Sequence, residues 1–342
     1  MNSYSDLLKL KNQTKSEKLT VISAKSGVGA LNLAGLKIGH ATDSKNHTGC
    51  TVFLCPPNTV ASVDVRGPAP GSREAVLLQP DKPIQFIHAV MLTGGSAFGL
   101  ATADGAMGYL AEHNIGHFTP IRPVPLVPTA VVYDLFMNEG QHPPTAAMGY
   151  QACQNATDVD VPVGNVGAGA GVTVGKWGGF QNIMKGGFGL SSIEMDGLVV
   201  GAGAVVNAIG DVVNEDGTVL AGARLANGRW LVEENPHRIF RQLPQTPVGT
   251  NTTLVVVFTN ARLTKVEAHR LAQRAHDGLA IAIRPVHTTH DGDTAYALAT
   301  SQVDAPFDLV ANLAVEMVAA AIRKGVRSAA SVGLLPGLAS EH

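Results

Sequence analysis

A threonine pair, Thr252-Thr253, stands where an irregular, proline-bearing stretch gives way to a run of β-branched residues. Residues 234–251 (ENPHRIFRQLPQTPVGTN) contain Pro236, Pro244 and Pro247 and show no hydrophobic period, so they read as a linker. TTLVVVFT, from residue 252, reads as a buried strand. A hydroxyl residue at the point where a linker enters a strand is what self-cleavage needs. Its oxygen attacks the carbonyl of the residue before it, the chain shifts to an ester, and water releases a new N-terminus. The freed α-amine has a pKa of about 8, so near neutral pH it can serve as base for its own side-chain hydroxyl. One residue then supplies nucleophile and base, and no Ser-His-Asp triad is required. Strand propensity alone also places threonines at strand starts, so the position leaves both readings open.

Other residues with chemical potential fit less well. Ser96, in TGGSAFG, resembles a nucleophile elbow, but Phe98 stands where the second glycine of G-x-S-x-G belongs. It reads better as a helix cap in a glycine-lined setting near the site; a serine hydrolase using Ser96 with a histidine partner is a separate reading. His287 and His290 beside Asp291 and Asp293 have the residue types of a metal site, yet the turn they occupy works against all four converging, and no metal is expected. In AGAGVTVGKW, Ala170 replaces the first glycine of a phosphate loop and Trp177 its Ser or Thr. In GAGAVVNAIGD, Val206 replaces the third glycine of a dinucleotide fingerprint.

The elements that must position these residues follow from periodicity. LNLAGLKIGH and CTVFLC read as strands, and VDVRGPAPGSREAVLL as a loop stiffened by Pro68 and Pro70. A strand, a turn at Gly94-Gly95 and a helix over 96–113 follow, with Ser96 as its cap. TAVVYDL reads as a strand, and Asn227-Gly228 as a hairpin turn between ARLA and RWLV. After Thr252, a capping box at Thr264–Glu267 opens a helix to residue 283; TAYALAT (294–300) is a strand, and a long helix covers 306–326. Strands and helices come in groups rather than alternating, which favours α+β layers over a doubly wound parallel sheet.

Composition narrows the function class. Charged residues are only 15% of 342, with a net charge of -2, no basic run and 5% aromatics, so neither the positive stripe nor the stacking platform of a nucleic-acid binder is present. Three cysteines, Cys50, Cys55 and Cys153, make neither a metal-spaced set nor an even disulfide framework. The first twenty residues lack an apolar signal core, and no uninterrupted apolar run reaches membrane length. The expectation is a cytoplasmic protein with no nucleic-acid or membrane partner.

LTGGSAFGLATADG, VDVRGPAPGSRE, TAVVYDL, VVNAIGDV, TNTTLVVVFTNARLTK and RPVHTTHDGDTAYALAT occur in order between about Gly35 and Gly333. Together they resemble the DmpA-type aminopeptidase and nylon-oligomer hydrolase family. That resemblance implies a four-layer αββα sandwich like that of N-terminal-nucleophile hydrolases, with different strand connectivity. It implies a single hydrolase domain (1–342), cut into a large chain (1–251) and a small chain (252–342) that stay associated in homo-oligomers, tetrameric or larger, with no cofactor and no metal. The scissile bond falls at Asn251-Thr252, as in the nylon-oligomer branch; the Gly249-Thr250 bond is an alternative, because the aminopeptidase branch often carries Gly-Ser there.

By the same resemblance, Asn207 matches the oxyanion-stabilising Asn, Lys176 a lysine near the nucleophile, and Tyr133 a tyrosine near it. Asp291 and Asp293 match paired acids where the β-peptidase branch carries Ser and Glu. Physically, the Asn207 amide can donate to a developing oxyanion, worth roughly 3 kcal/mol of barrier. A partly buried Lys176 has a lowered pKa and can tune the new amine. Asp291 and Asp293 can orient the Thr252 amine or pair with a substrate ammonium, and also suit a plain turn. Tyr133 and Ser96 are candidate substrate contacts. The expected activity is that of an aminopeptidase or amidohydrolase acting on small peptides, other amides or esters. Endo-cleavage of amide oligomers and an uncut, non-catalytic binding protein are the alternatives.

Overall fold

The computed structural model of the chain describes residues 20–21, 28–29, 31–234 and 249–340. Eleven strands build two mixed sheets: β1 (Thr20–Val21), β2 (Lys37–Asp43), β3 (Thr48–Leu54), β4 (Val60–Val65), β5 (Ser72–Arg73), β6 (Ala89–Thr93), β7 (Thr129–Val131), β8 (Phe188–Met195), β9 (Leu198–Asn207), β10 (Thr252–Ala261) and β11 (Thr294–Val303). The larger sheet has the order β1-β8-β9-β10-β11-β4, and only the β10–β11 pair is parallel. The smaller runs β2-β3-β6-β7-β5, with β6–β7 parallel. Four helices cover them: α1 (Thr102–Glu112), α2 (Ala146–Gln154), α3 (Lys265–Ala282) and α4 (Phe307–Arg327).

The central strands are apolar on both faces, because each face meets a different partner. In β10, Leu254, Val256 and Phe258 join Ile38, Phe53, Val90 and Leu92 of the smaller sheet in the core between the sheets. The alternate residues Val255 and Val257 face Ala268, Leu271, Val318 and Ile322 of α3 and α4. Helices α1 and α2 close the far side of the smaller sheet over Val52, Met91 and the free thiols of Cys50 and Cys153. The result is the expected αββα sandwich. Sheets usually stack about 10 Å apart; here glycine makes room for aromatic rings between them. A Cβ on Gly203 would lie 2.6 Å from the Phe53 ring.

Around Thr252 the local expectations hold closely. The strand opens at residue 252, and the Thr264–Glu267 capping box is complete. Elsewhere the boundaries move. Residues 63–65, read as loop, complete β4, and TAVVYDL keeps only three strand residues, since the chain turns in towards the site at Tyr133. Residues 96–101 form a 3-10 turn and the α-helix starts at Thr102; Ser96 has φ +51 and makes no capping bond, so it is not the helix cap. The Asn227-Gly228 turn forms, but its second arm becomes the helical turn Leu231–Glu234, leaving a single Arg224–Trp230 bridge. Most of the linker, residues 235–248, lies outside the described residues. No helix among the described residues is long and apolar enough to cross a membrane.

Candidate active site

Strand direction gathers the site. Because β9 is antiparallel to β10, its last residue, Asn207, lies opposite the first residue of β10, Thr252. Because β11 is parallel to β10, the loop entering β11 reaches the same edge, where Asp291 bridges to Asn251. Alternation then puts the Thr252 and Asn207 side chains on the faces of Leu254 and Val205, towards the gap between the sheets.

Thr252 is 4% exposed, and its Oγ1 lies 2.5 Å from the carbonyl oxygen of Asn251. The same oxygen accepts the Gly292 N–H at 2.8 Å. The Thr252 hydroxyl and the Gly292 N–H therefore both donate to one peptide carbonyl oxygen. The Asn251 side chain is fully buried; its Nδ2 reaches Thr250 Oγ1 (3.3 Å), and its Oδ1 has no partner among the described residues.

Lys176 fixes how Asn207 is turned. The residue is 1% exposed, and its Nζ donates to Asn207 Oδ1 (2.8 Å) and to the carbonyls of Thr173 and Asn207 (2.9 Å each), while the Thr173 N–H reaches the same Oδ1 (3.1 Å). An ammonium only donates, so the amide oxygen must face it. Asn207 Nδ2 consequently points to the carbonyls of Tyr133 (3.2 Å) and Thr250 (3.5 Å). This donor thus sits one peptide upstream of the Asn251 carbonyl.

Burial pushes the Lys176 ammonium down to about 7, with Asp291 opposing and Lys185 adding to the fall. Burial pushes the Asp291 carboxyl up to about 6, helped by the charge of Asp293 and opposed by bonds from the Thr288 N–H and hydroxyl (2.7 Å each). Asp293 accepts the Thr253 N–H (2.6 Å) on one oxygen and His287 Nδ1 (2.8 Å) on the other, tying the head of β10 to the loop. His287 rests edge-on against His276, ring centroids 4.8 Å apart. No group of three or more His, Cys, Asp and Glu side chains among the described residues could hold a metal ion.

Five of the sequence candidates, Thr252, Asn207, Lys176, Asp291 and Asp293, converge here together with Asn251. Tyr133 enters through its carbonyl, and its half-buried side chain makes no hydrogen bond among the described residues. Ser96 stands apart: its N–H bonds the Val132 carbonyl (3.0 Å), and its hydroxyl bonds neither a histidine nor any of these residues. Sequence reasoning missed Gly292, hidden in an Asp-Gly-Asp turn. A Cβ there would come within 2.8 Å of Thr252 Oγ1 and 2.7 Å of the Ala69 carbonyl, and only the fold reveals that closeness.

The model of peptidase family S58 matches residues 31–337. The chain is 42% identical over 292 residues to an uncharacterised aminopeptidase of Mycobacterium leprae, covering 80% of this chain and 79% of that one. It is 30% identical over 275 residues to a 6-aminohexanoate-oligomer endohydrolase of Paenarthrobacter ureafaciens, covering 80% and 75%. Its fold is similar to that of the L-aminopeptidase D-Ala-esterase/amidase of Ochrobactrum anthropi, a variant of the Ntn hydrolase fold, with a TM-score of 0.67 at 20% identity over 92% of this chain and 91% of the other.

Proposed function

Because the chain belongs to peptidase family S58 and is a hydrolase of peptide or related amide bonds, we propose that it cuts itself at Asn251-Thr252 and then works through the N-terminal Thr252. The observation that supports this reading is the buried Thr252 hydroxyl donating to the carbonyl oxygen of Asn251, the residue just before it. In the self-cleavage, the Oγ–C bond forms as the C–N bond breaks, and the hydroxyl proton ends on the Thr252 nitrogen. Water then hydrolyses the ester, leaving the Asn251 carboxylate and a free amine.

In turnover, that amine takes the Oγ proton as the oxygen attacks the substrate carbonyl, and returns it to the leaving nitrogen. Asn207 Nδ2, released once Thr250 withdraws, donates to the oxyanion, with Lys176 keeping it turned. Asp291 and Asp293 supply negative charge for a substrate ammonium. That, with the aminopeptidase relatives, favours removal of N-terminal residues. One observation favours endo-cleavage as a second reading: Thr250 and Asn251 are both buried, so the acyl side accepts more than one residue.

Intact mass of the denatured protein tests the nucleophile. Two fragments meeting between Asn251 and Thr252, with Thr252→Ala left whole, is the expected result. A single full-length mass from fresh and aged wild-type protein would sink the reading. Free against acetyl-capped peptides then separates exo from endo action.

A further inference from the structure

We propose that the main-chain N–H of Gly292 is a catalytic oxyanion donor, used first on the chain's own scissile carbonyl and afterwards on substrates. The inference rests on Thr252 being the nucleophile. The N–H already lies 2.8 Å from the Asn251 oxygen that Thr252 Oγ1 touches. As Oγ adds to the carbonyl carbon, the C=O becomes C–O⁻ beside a donor that has no reorganisation left to make. Asn207 is turned towards the Thr250 carbonyl at that stage, so the first step falls to Gly292.

Before the cut, this bond is the last rung of the parallel β10–β11 ladder, at the Asn251–Asp291 bridge. Once Asn251 ends in a free carboxylate and withdraws, the N–H loses its partner. An unpaired buried donor is costly, so it is ready for any carbonyl that enters. A substrate acyl residue then takes the place of Asn251 as an added strand residue beside β11. Its two flanking carboxylates are anchored, Asp291 by Thr288 and Asp293 by the Thr253 N–H, which holds the peptide plane still. Glycine is required because a Cβ would press on Thr252 Oγ1 at 2.8 Å.

Glycolate placed at position 292 by in vitro translation turns the N–H into an ester oxygen and leaves every side chain in place. Self-cleavage of this precursor is expected to slow by roughly 100- to 1000-fold against wild type, with kcat in the cut fraction falling similarly and KM little changed. A rate within about threefold of wild type, with Thr252→Ala still whole, overturns the proposal and leaves the nucleophile standing. Cutting of Thr252→Ala would instead overturn the nucleophile. A readout on the unaltered mature enzyme covers an ester precursor that does not fold. When a peptide boronic acid adds to Thr252, the Gly292 amide proton should move downfield in the NMR spectrum, and an unmoved signal overturns the proposal.

Discussion

Asn207→Asp is the most informative single change, because it separates the two proposed reactions. The new carboxylate keeps the size of the side chain and both bonds to Oδ1, from Lys176 Nζ and the Thr173 N–H. What disappears is the donor: an oxygen now faces the carbonyls of Tyr133 and Thr250, formerly at 3.2 and 3.5 Å. In the uncut chain the Thr250 contact is long and one peptide away from the bond being broken. Its loss is worth about 1 kcal/mol, or roughly a fivefold slower self-cleavage. On the proposed mechanism the same group is the side-chain oxyanion donor in turnover, worth roughly 3 kcal/mol, or about 150-fold in kcat. The assay follows first-order loss of precursor by intact mass, then peptide hydrolysis by the cut fraction, normalised to that fraction. The reasoning predicts a much larger loss in turnover than in self-cleavage. Equal losses, or turnover within about threefold of wild type, would refute the assigned role of Asn207.

Lys176→Met leaves only the Thr173 N–H to hold the Asn207 amide oxygen and strips the donor from the Thr173 and Asn207 carbonyls; kcat should fall roughly 10- to 100-fold, and Tm should drop as those buried acceptors go unpaired. Lys176 and Lys185 are both buried with pKa values lowered to about 7 from 10.5, so between those values the unfolded chain binds more protons and stability rises with pH. Each contributes about 1.4 kcal/mol per pH unit, partly offset near pH ~9 by the three buried thiols, so unfolding of uncut Thr252→Ala should need more urea at pH ~9 than at pH ~7.5, and adding Lys185→Met should make that rise shallower. Asp291, raised to about 6, is protonated as pH falls through that value, so KM for a peptide with a free N-terminus should climb below it, and Asp291→Asn should abolish the climb. Gly203→Ala sets a methyl 2.6 Å from the Phe53 ring and should cost about 1–3 kcal/mol in a denaturant titration.

The local part of this protein was legible in its residues. Proline punctuation and a β-branched run put a strand start at Thr252, and Thr264 with Glu267 announced the helix that follows. Such signals involve neighbours along the chain, and short-range sterics and hydrogen bonding decide them wherever they fall. The family blocks also carried the layered fold and the chemistry class. Convergence is another matter. That β9 meets β10 antiparallel and β11 meets it parallel is what brings residues 207, 252 and 291–293 to one edge, and strand order depends on packing between distant segments. The turn at residue 227 shows the same limit: its signal was right, yet the next segment is helical, with Leu231 clustered against Trp177 and Ala223. Only the folded chain turns Asn207 by burying an ammonium beside it, or shows that Gly292 is a close approach to a hydroxyl rather than an ordinary turn glycine. Periodicity records which face a residue takes, whereas the distances that make a site are set by register and burial across the sheets.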